Sequence, residues 1–514
     1  MRSERQRPSR RPPAVSGEAS AGPALDDKLR VRLRGRELAI PDLVIVAAAL
    51  LWLAVVLVAT RSQELIASDD AFISFQYARN LARGHGLVFN PGERVWGFTS
   101  PLQTLLLGGL ATLGCDTIRA AFVAGFLWVA VGAVLLHFVA AKLLPRTLAC
   151  CLGLYFLLDA SQHGSYAMES GLLVGLQLGF LLAVARGRGR WAAVLAGLSC
   201  LARPDSVLLV LPILIAGRET RRPVPLACFA GIGVLWEGFA YATYGALVPN
   251  SLAAKSGLSH FGAFFANAFE HVAGVTFAAP LASQPSTVGR VIVVVLGVLP
   301  LLNARVRRRF AWSYGFVLYP WVLLVAYAAI GSFQSHVWEF YSAKLFLRVA
   351  AGVGLLSLAG AVAAHLRPRW RWTGVALAAG FAVTNGLAAS RGLLHDHRGP
   401  NHAYWSGARN ATYRQIANWV NTNLPRGETI ALSEVGTFAY YTDMKVVDVS
   451  GIITRGYRPS ERMNHDAFLL RFAPRYAVLY GNRRDIALSR ALRYRRLAYF
   501  PKQGFEDFSL MVRE

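Results

Sequence analysis

Two adjacent carboxylates, Asp69 and Asp70, mark the place in this 514-residue chain where chemistry is most readily located. They follow an apolar segment, Leu38 to Thr60, whose one polar break is Asp42. About 20 residues rising 1.5 Å each cross the roughly 30 Å of a bilayer core, so the pair stands at the mouth of a span. Carboxylates in that position are costly to desolvate unless water reaches them or a function holds them there. An acid at a water–membrane boundary can take the proton of a hydroxyl or bind a divalent cation. It can equally be a helix-start acid, drawn to the positive end of the next helix. Adjacent residues do not share a helix face, so the two need not share a role.

Further polar residues that could serve such an acid recur along the chain. His85, between Gly84 and Gly86, could touch a phosphate, although a histidine in a turn is usually only solvated. Glu93 and Arg94 share a turn and could pair with each other. Glu169 stands at the entrance of a span, either as a helix-start acid or as part of a site. Arg203 and Asp205 flank Pro204 and could form an internal ion pair. Asn250 and Lys255 lie in the run VPNSLAAK, and Lys344 and Arg348 are one turn apart at another span entrance. The last two could grip an anionic headgroup or simply extend to the interface. His395 and His397 have no third ligand nearby and read as linker; no Walker loop, no GxGxxG after a strand and no HExxH occurs. An acidic base with cationic groups beside it is what transfer from a phosphate-linked lipid requires: the base takes the acceptor's proton and the cations stabilise the departing phosphate.

What must position these residues is a membrane bundle. Hydrophobic residues make up 54% of the chain, and apolar segments recur through its first three quarters, as in a polytopic membrane protein. The net charge of +25 is carried in short basic runs between those segments, at 30–36, 186–190, 218–222, 305–309 and 367–372. That is the pattern of cytoplasmic loops and calls for no nucleic acid. Sorting the runs to one side gives about eleven crossings, a cytoplasmic N-terminus and polar motifs on the outside. The segment 191–217, basic at both ends and broken at Arg203–Asp205, reads as a hairpin of two short helices; a single long span is the competing reading and would invert everything downstream. A first outer loop spans 61–115, with an interfacial helix through Phe72–Leu81 and a second interfacial or re-entrant helix at 101–114.

Residues 1–37 read as a disordered basic tail and 38–391 as the membrane domain. Residues 392–514 form a small extracytoplasmic α/β domain, with an amphipathic helix at 408–424 and strands at 429–434, 445–450, 476–481 and 508–513. No cysteine follows Cys228, so that domain has no disulfide. The fold expected is therefore an all-α polytopic membrane protein carrying a small C-terminal α/β domain.

The run DDAFISFQYARNLARGHGLVFNPGERVWGFTSPL (69–102) resembles the first outer loop of GT-C fold glycosyltransferases that use polyprenyl-phosphate sugars. It is most similar to the actinobacterial branch that includes terminal arabinofuranosyltransferases. AMES (167–170), ARPD (202–205), VPNSLAAK (248–255) and SEVGTFAYYTD with VVDVSG (433–451) resemble later motifs in the same order. The resemblance implies an inverting transferase in the cytoplasmic membrane, moving a sugar such as arabinofuranose from a polyprenyl-phosphate donor to a glycan or lipid acceptor. It places the base on Asp69, with Asp70 in support. Lys255, Arg203 and His85, then Lys344 and Arg348, stand as candidates for the donor phosphate. Trp96 replaces an acidic residue common in related loops, which bears on sugar choice. No cofactor is called for beyond a divalent cation. The rival readings are a lipid-linked sugar flippase, which would need ionisable residues within spans and repeat symmetry, and a non-catalytic envelope assembly protein.

Overall fold

The computed structural model describes residues 30–33, 36–62, 65, 67–158, 166–255, 261–273, 287–302, 309–330, 339–365, 403–456, 465–480, 492–501 and 506–514. The tail before residue 30, the span expected at 373–390 and the histidines at 395 and 397 lie outside the described residues, as does the side chain of Lys255.

The chain opens on an antiparallel pair, β1 (Arg30–Leu33) and β2 (Arg36–Ala39). The end of the segment expected to be disordered is thus a short hairpin, with Arg30 bonded to Glu37 at 3.3 Å. Among the described residues four helices are long and apolar enough to cross a membrane: α1 (Ile40–Thr60), α4 (Thr117–Ala140), α9 (Pro223–Tyr244) and α13 (Phe310–Ile330). The expected eleven crossings are not reached there. One local cause is length: α5 (Arg146–Leu157), α6 (Ser170–Ala185), α7 (Gly189–Ala202) and α8 (Val207–Ala216) are apolar but rise too little at 1.5 Å per residue for a full 30 Å crossing. α7 and α8 form a hairpin. At its open end Gly189 sits so close to the Glu219 carbonyl that a Cβ would overlap it. At its apex Arg203 leads into a single turn of tighter helix, Pro204–Ser206. Three short helices follow α9, namely α10 (Asn250–Lys255), α11 (Phe261–Ala273) and α12 (Thr287–Val298), and α14 (Tyr341–His365) comes after α13.

The loop between α1 and α4 carries α2 (Asp69–Ala82) and α3 (Pro101–Thr112). α2 is not the half-wet interfacial helix that its mixed sequence predicts: Phe72, Ile73, Phe75, Gln76, Tyr77 and Asn80 are all buried. Its polar side chains serve the loop that follows. Gln76 donates to the Phe89 carbonyl at 3.1 Å and Asn80 to Val88 and Phe89 at 2.9 and 2.7 Å. The side of α2 that would have faced water is covered by the C-terminal domain.

That domain consists of α15 (Ala403–Asn423), β3 (Thr429–Leu432), α16 (Gly436–Tyr440), β4 (Lys445–Asp448), α17 (His465–Phe472), β5 (Tyr476–Tyr480), β6 (Tyr494–Phe500) and β7 (Phe508–Arg513). The sheet order is β4-β3-β5-β7-β6, with β3 parallel to both β4 and β5 and the remaining pairs antiparallel. β6 was not legible in the sequence. Alternation sets the layers, because successive strand residues point to opposite faces. Ile430, Leu432, Tyr476 and Val478 pack on one face with Tyr413, Ile416 and Val420 of α15. Ala431, Ala477 and Leu479 pack on the other with Phe468 and Leu469 of α17. The first of these cores continues without a break into Ile73, Tyr77, Phe89, Trp96 and Phe98 of the α1–α4 loop and Trp236 of α9. Loop and domain therefore share one hydrophobic core and lie at the same end of the bundle.

Candidate active site

The carboxyl ends of the three parallel strands face the α1–α4 loop. In parallel sheets ligands bind in the crevice beyond those ends, at the point where strand order reverses. Here the order reverses at β3, flanked by β4 on one side and β5 on the other. Glu434 follows β3, Asp448 ends β4 and Tyr480 ends β5. Glu434 pairs with Arg409 of α15 at 3.3 Å, and its side chain keeps 31% exposure. Burial and the Asp69 carboxylate push Glu434 up to about 7, with Asp70 adding to the rise and Arg409 opposing it. Burial works against the charge of Arg409, but Glu434, Asp69 and Asp70 outweigh it and hold the guanidinium charged. Tyr413 and Tyr480, held as neutral phenols chiefly by burial, pack nearby in the sheet-domain core. Asp448 is buried and spends its oxygens on its own turn, accepting from the amides of Ser450 and Ile452 at 2.7 Å each; burial pushes it up to about 6.

The two adjacent acids are placed differently. Asp69 is buried and its carboxylate accepts from the amides of Gly436 at 2.9 Å and Thr437 at 2.8 Å, the first residues of α16. The approach is so close that a Cβ on Gly436 would overlap the Asp69 carbonyl oxygen. One helical stretch further along α2, Arg79 donates to the carbonyls of Tyr440 and Ala439 at the other end of α16. An anion at the amide end and a cation at the carbonyl end both match the helix dipole, so α2 holds α16 as a sign-matched clamp. Asn410 reinforces it, donating to the Ala67 carbonyl at 2.7 Å and accepting from the Thr437 hydroxyl at 3.1 Å. The open edge of β4 is covered in the same way: the Asn90 amide exchanges two hydrogen bonds with the backbone of Val446, at 2.8 and 3.1 Å, and Glu93 pairs with Lys445 at 2.6 Å rather than with Arg94. Asp70 is only half-buried, and the positive field of Arg409 reaches it.

The structure brings together three more of the sequence-predicted residues. Arg203, at the hairpin apex, bonds Glu169 at 2.8 Å and Asp205 at 3.0 Å, and Tyr327 of α13 bonds both Arg203 and Asp205 at 2.7 Å. Glu169 does not cap α6 with its side chain, which goes to Arg203 instead. Glu339, also buried, adds to the field at Arg203. This cluster adjoins the acids at α2 through the AMES run: Ser68 donates to the Met168 sulfur at 3.3 Å, and Gln103 of α3 holds the Ala167 carbonyl at 2.9 Å. Asn250 is tied in through its backbone, which donates to the Trp96 carbonyl at 2.8 Å. Trp96 itself is buried between Trp236 and Tyr244, with ring centroids 5.6 and 6.1 Å away. Arg348 is buried, its guanidinium 5.9 Å from the Tyr155 ring, and Lys344 is half-buried one turn before it. His85 is exposed in its turn.

Sequence reasoning missed Glu434, Arg409 and the paired tyrosines. Glu434 lies within the quoted SEVGTFAYYTD run and directly after a strand, which was the available signal. Among the described residues no group of three or more metal-ligating side chains occurs.

Comparison with known structures fixes the architecture. ArnT from Cupriavidus metallidurans, in the crystal structure bound to undecaprenyl phosphate, superposes with a TM-score of 0.56 over 91% of this chain and 97% of that chain, at 16% identity. The chain has the GT-C fold. The apo form of the Archaeoglobus fulgidus oligosaccharyltransferase gives a TM-score of 0.52 at 11% identity, covering 85% of this chain and 69% of that one. With this fold and its apolar helices the chain is a multi-pass membrane protein. In sequence, a Mycobacterium tuberculosis protein named terminal beta-(1->2)-arabinofuranosyltransferase is 31% identical over 242 residues. That match takes in 40% of this chain and 38% of the relative, well under half of either. A family model described as a domain of unknown function (DUF8728) matches residues 402–511, the sheet domain of this GT-C chain.

Proposed function

We propose that the protein is an inverting glycosyltransferase that moves a sugar, arabinofuranose by the mycobacterial likeness, from a polyprenyl-phosphate donor to a glycan or lipid acceptor outside the cytoplasmic membrane. The observation that carries this reading is a GT-C fold in which the Arg409–Glu434 pair, 3.3 Å apart beyond the strand ends, lies within electrostatic reach of the half-buried Asp70. The undecaprenyl phosphate named in the ArnT structure and the name of the mycobacterial relative support the donor class and the sugar.

In this reaction the acceptor oxygen attacks the anomeric carbon, the bond from that carbon to the phosphate oxygen breaks, and the phosphate leaves with the electron pair. The acceptor's proton goes to a carboxylate. A single displacement inverts the anomeric centre. In this proposal Asp70 is the base and Asp69 is the residue that positions it, since both oxygens of Asp69 already serve the amides of α16. This reverses the assignment that the sequence resemblance implied. Arg203 is committed to Glu169 and Asp205 and shapes the site instead of meeting a phosphate. Lys255, with Lys344 and Arg348 of α14, remains the proposed partner of the donor phosphate. In this proposal Glu434 contacts the acceptor from the side of the sheet domain. A panel of labelled isoprenoid-monophosphate sugars incubated with membranes containing the protein tests the reading. Label should pass from one of them to a glycan or lipid acceptor, and no transfer from any donor in the panel would refute it.

A further inference from the structure

Tyr77 is a residue of α2 that the chemistry proposed above leaves unused. Seven residues along a helix turn through about 700°, so Tyr77 lies within about 20° of Asp70 on the same face of α2, roughly 10 Å further along it. It is fully buried, with its ring edge-on to Phe89 and Phe98 at centroid distances of 5.8 and 4.7 Å. Burial pushes its phenol above the usual range, so the hydroxyl keeps its proton. That hydroxyl donates to the Val95 carbonyl at 2.6 Å and accepts from the Gly97 amide at 3.0 Å. One oxygen atom thus holds the backbone on both sides of Trp96.

The turn that Tyr77 holds is pressed from two further directions. Gly97 meets Ile453 of the sheet domain so closely that a Cβ would overlap that side chain. The Trp96 ring packs against Trp236 and Tyr244 of α9. The Trp96 carbonyl, between the two bonds to Tyr77, accepts from the Asn250 amide at 2.8 Å, and Asn250 is the first residue of α10. α10 has six residues, too few to be stable without tertiary contacts. Gly245, at φ +69°, ends α9 a few residues before it. α10 therefore takes its position from what it touches, with Ser251 and Ala254 buried and its first amide on the Trp96 carbonyl.

We infer that Tyr77 is a positioning residue for sugar transfer: through the turn at 95–97, its hydroxyl fixes α10, which carries Asn250 and Lys255, relative to Asp70. The inference rests on the reading of Asp70 as the base and of Lys255 as a partner of the donor phosphate. Tyr77 itself, having no exposed surface, touches neither substrate. A binding group works only where packing and hydrogen bonds hold the backbone beneath it. Asp70 and Tyr77 share one helix, so the turn, and α10 with it, is held in register with the base.

Y77F removes the hydroxyl and keeps the ring in the core. In the full chain in detergent, hydrogen exchange at the Asn250 amide should quicken about tenfold in Y77F, while the amides of Gly436 and Thr437 exchange as in the unmodified protein. Y244F loses the 2.8 Å bond to the Leu87 carbonyl beside the same aromatic cluster, and should leave the Asn250 amide unchanged. The donor phosphate is held before the bond to it breaks as well as after, so the kinetic loss should fall on binding. With the labelled isoprenoid-monophosphate sugar that the unmodified protein uses, Y77F should raise the donor KM about tenfold and lower kcat by less than about threefold. An Asn250 amide unchanged in Y77F, an equal rise at Gly436 and Thr437, the same rise in Y244F, or an unchanged donor KM would each overturn the inference and leave the proposed function standing. Absence of transfer by the unmodified protein from every donor in the panel would refute that function, and this inference with it.

Discussion

The division of labour between Asp69 and Asp70 makes opposite predictions for two variants that differ by one position. Replacing Asp70 by Asn removes the proposed base while keeping its shape. General-base loss slows a reaction about 10²–10⁴-fold, or roughly 3–5 kcal/mol of barrier at about 1.36 kcal/mol per tenfold. The docking of the sheet domain should be untouched. Replacing Asp69 by Asn acts on structure first. The carboxylate accepts from two amides, at 2.9 and 2.8 Å. Asn retains one acceptor oxygen and turns an NH₂ group towards the second amide, so one charge-assisted bond is lost and a buried N–H is left facing a donor. At about 1.5–3 kcal/mol for a bond to a charged group, with a further contribution of up to about 1 from the helix end, the clamp should weaken by roughly 2–4 kcal/mol. Hydrogen exchange across 434–441 should then quicken about 30-fold or more in D69N and stay unchanged in D70N. Transfer of a labelled sugar from the isoprenoid phosphate should fall by about 10²–10⁴-fold in D70N. A D70N protein with wild-type turnover, beside a D69N protein that is inactive but exchanges at the wild-type rate, would refute the assignment and return the base to Asp69.

Three further predictions follow from the same contacts. Arg203→Met should destabilise the bundle by about 3–5 kcal/mol, because it strands the nearly buried Glu169 and Asp205 carboxylates; adding E169Q and D205N should recover most of the loss, as read by thermal unfolding in detergent. Glu434, raised to about 7 from a usual 4.5, holds more protons when folded than when unfolded between those values. Stability should therefore fall as pH rises through that window, and E434Q should flatten the slope in denaturation measured at stepped pH. Gly436→Ala, which would press a methyl group against the Asp69 carbonyl, should loosen α16 as D69N does, visible as faster proteolysis between bundle and sheet domain, while Gly427→Ala in its exposed turn should be strained only locally, its φ being +78°.

The sequence by itself determined much of the architecture. Apolar runs and the placement of basic residues specified a membrane bundle, the break at Arg203–Asp205 favoured a hairpin over one long span, and short runs rich in β-branched and aromatic residues specified four of the five strands of the C-terminal sheet, because composition and run length are local properties. It also singled out Asp69, Asp70, Glu169, Arg203 and Asp205, since charged residues beside apolar segments are conspicuous in one dimension. What it could not give was the partner of each. Glu434 and Asp69 are more than 360 positions apart, and their meeting depends on α16 docking against α2, a contact created by the shared core of Tyr77, Phe89, Ile416 and Leu432. Nor could it show that α2, amphipathic on paper, would be buried over most of its surface, with Asp70 and Ser74 left half-exposed. The number of full crossings likewise depends on how apolar segments break and pack. Which of two neighbouring carboxylates is spent on backbone amides is a question of angle around one helix, and only the packed chain answers it.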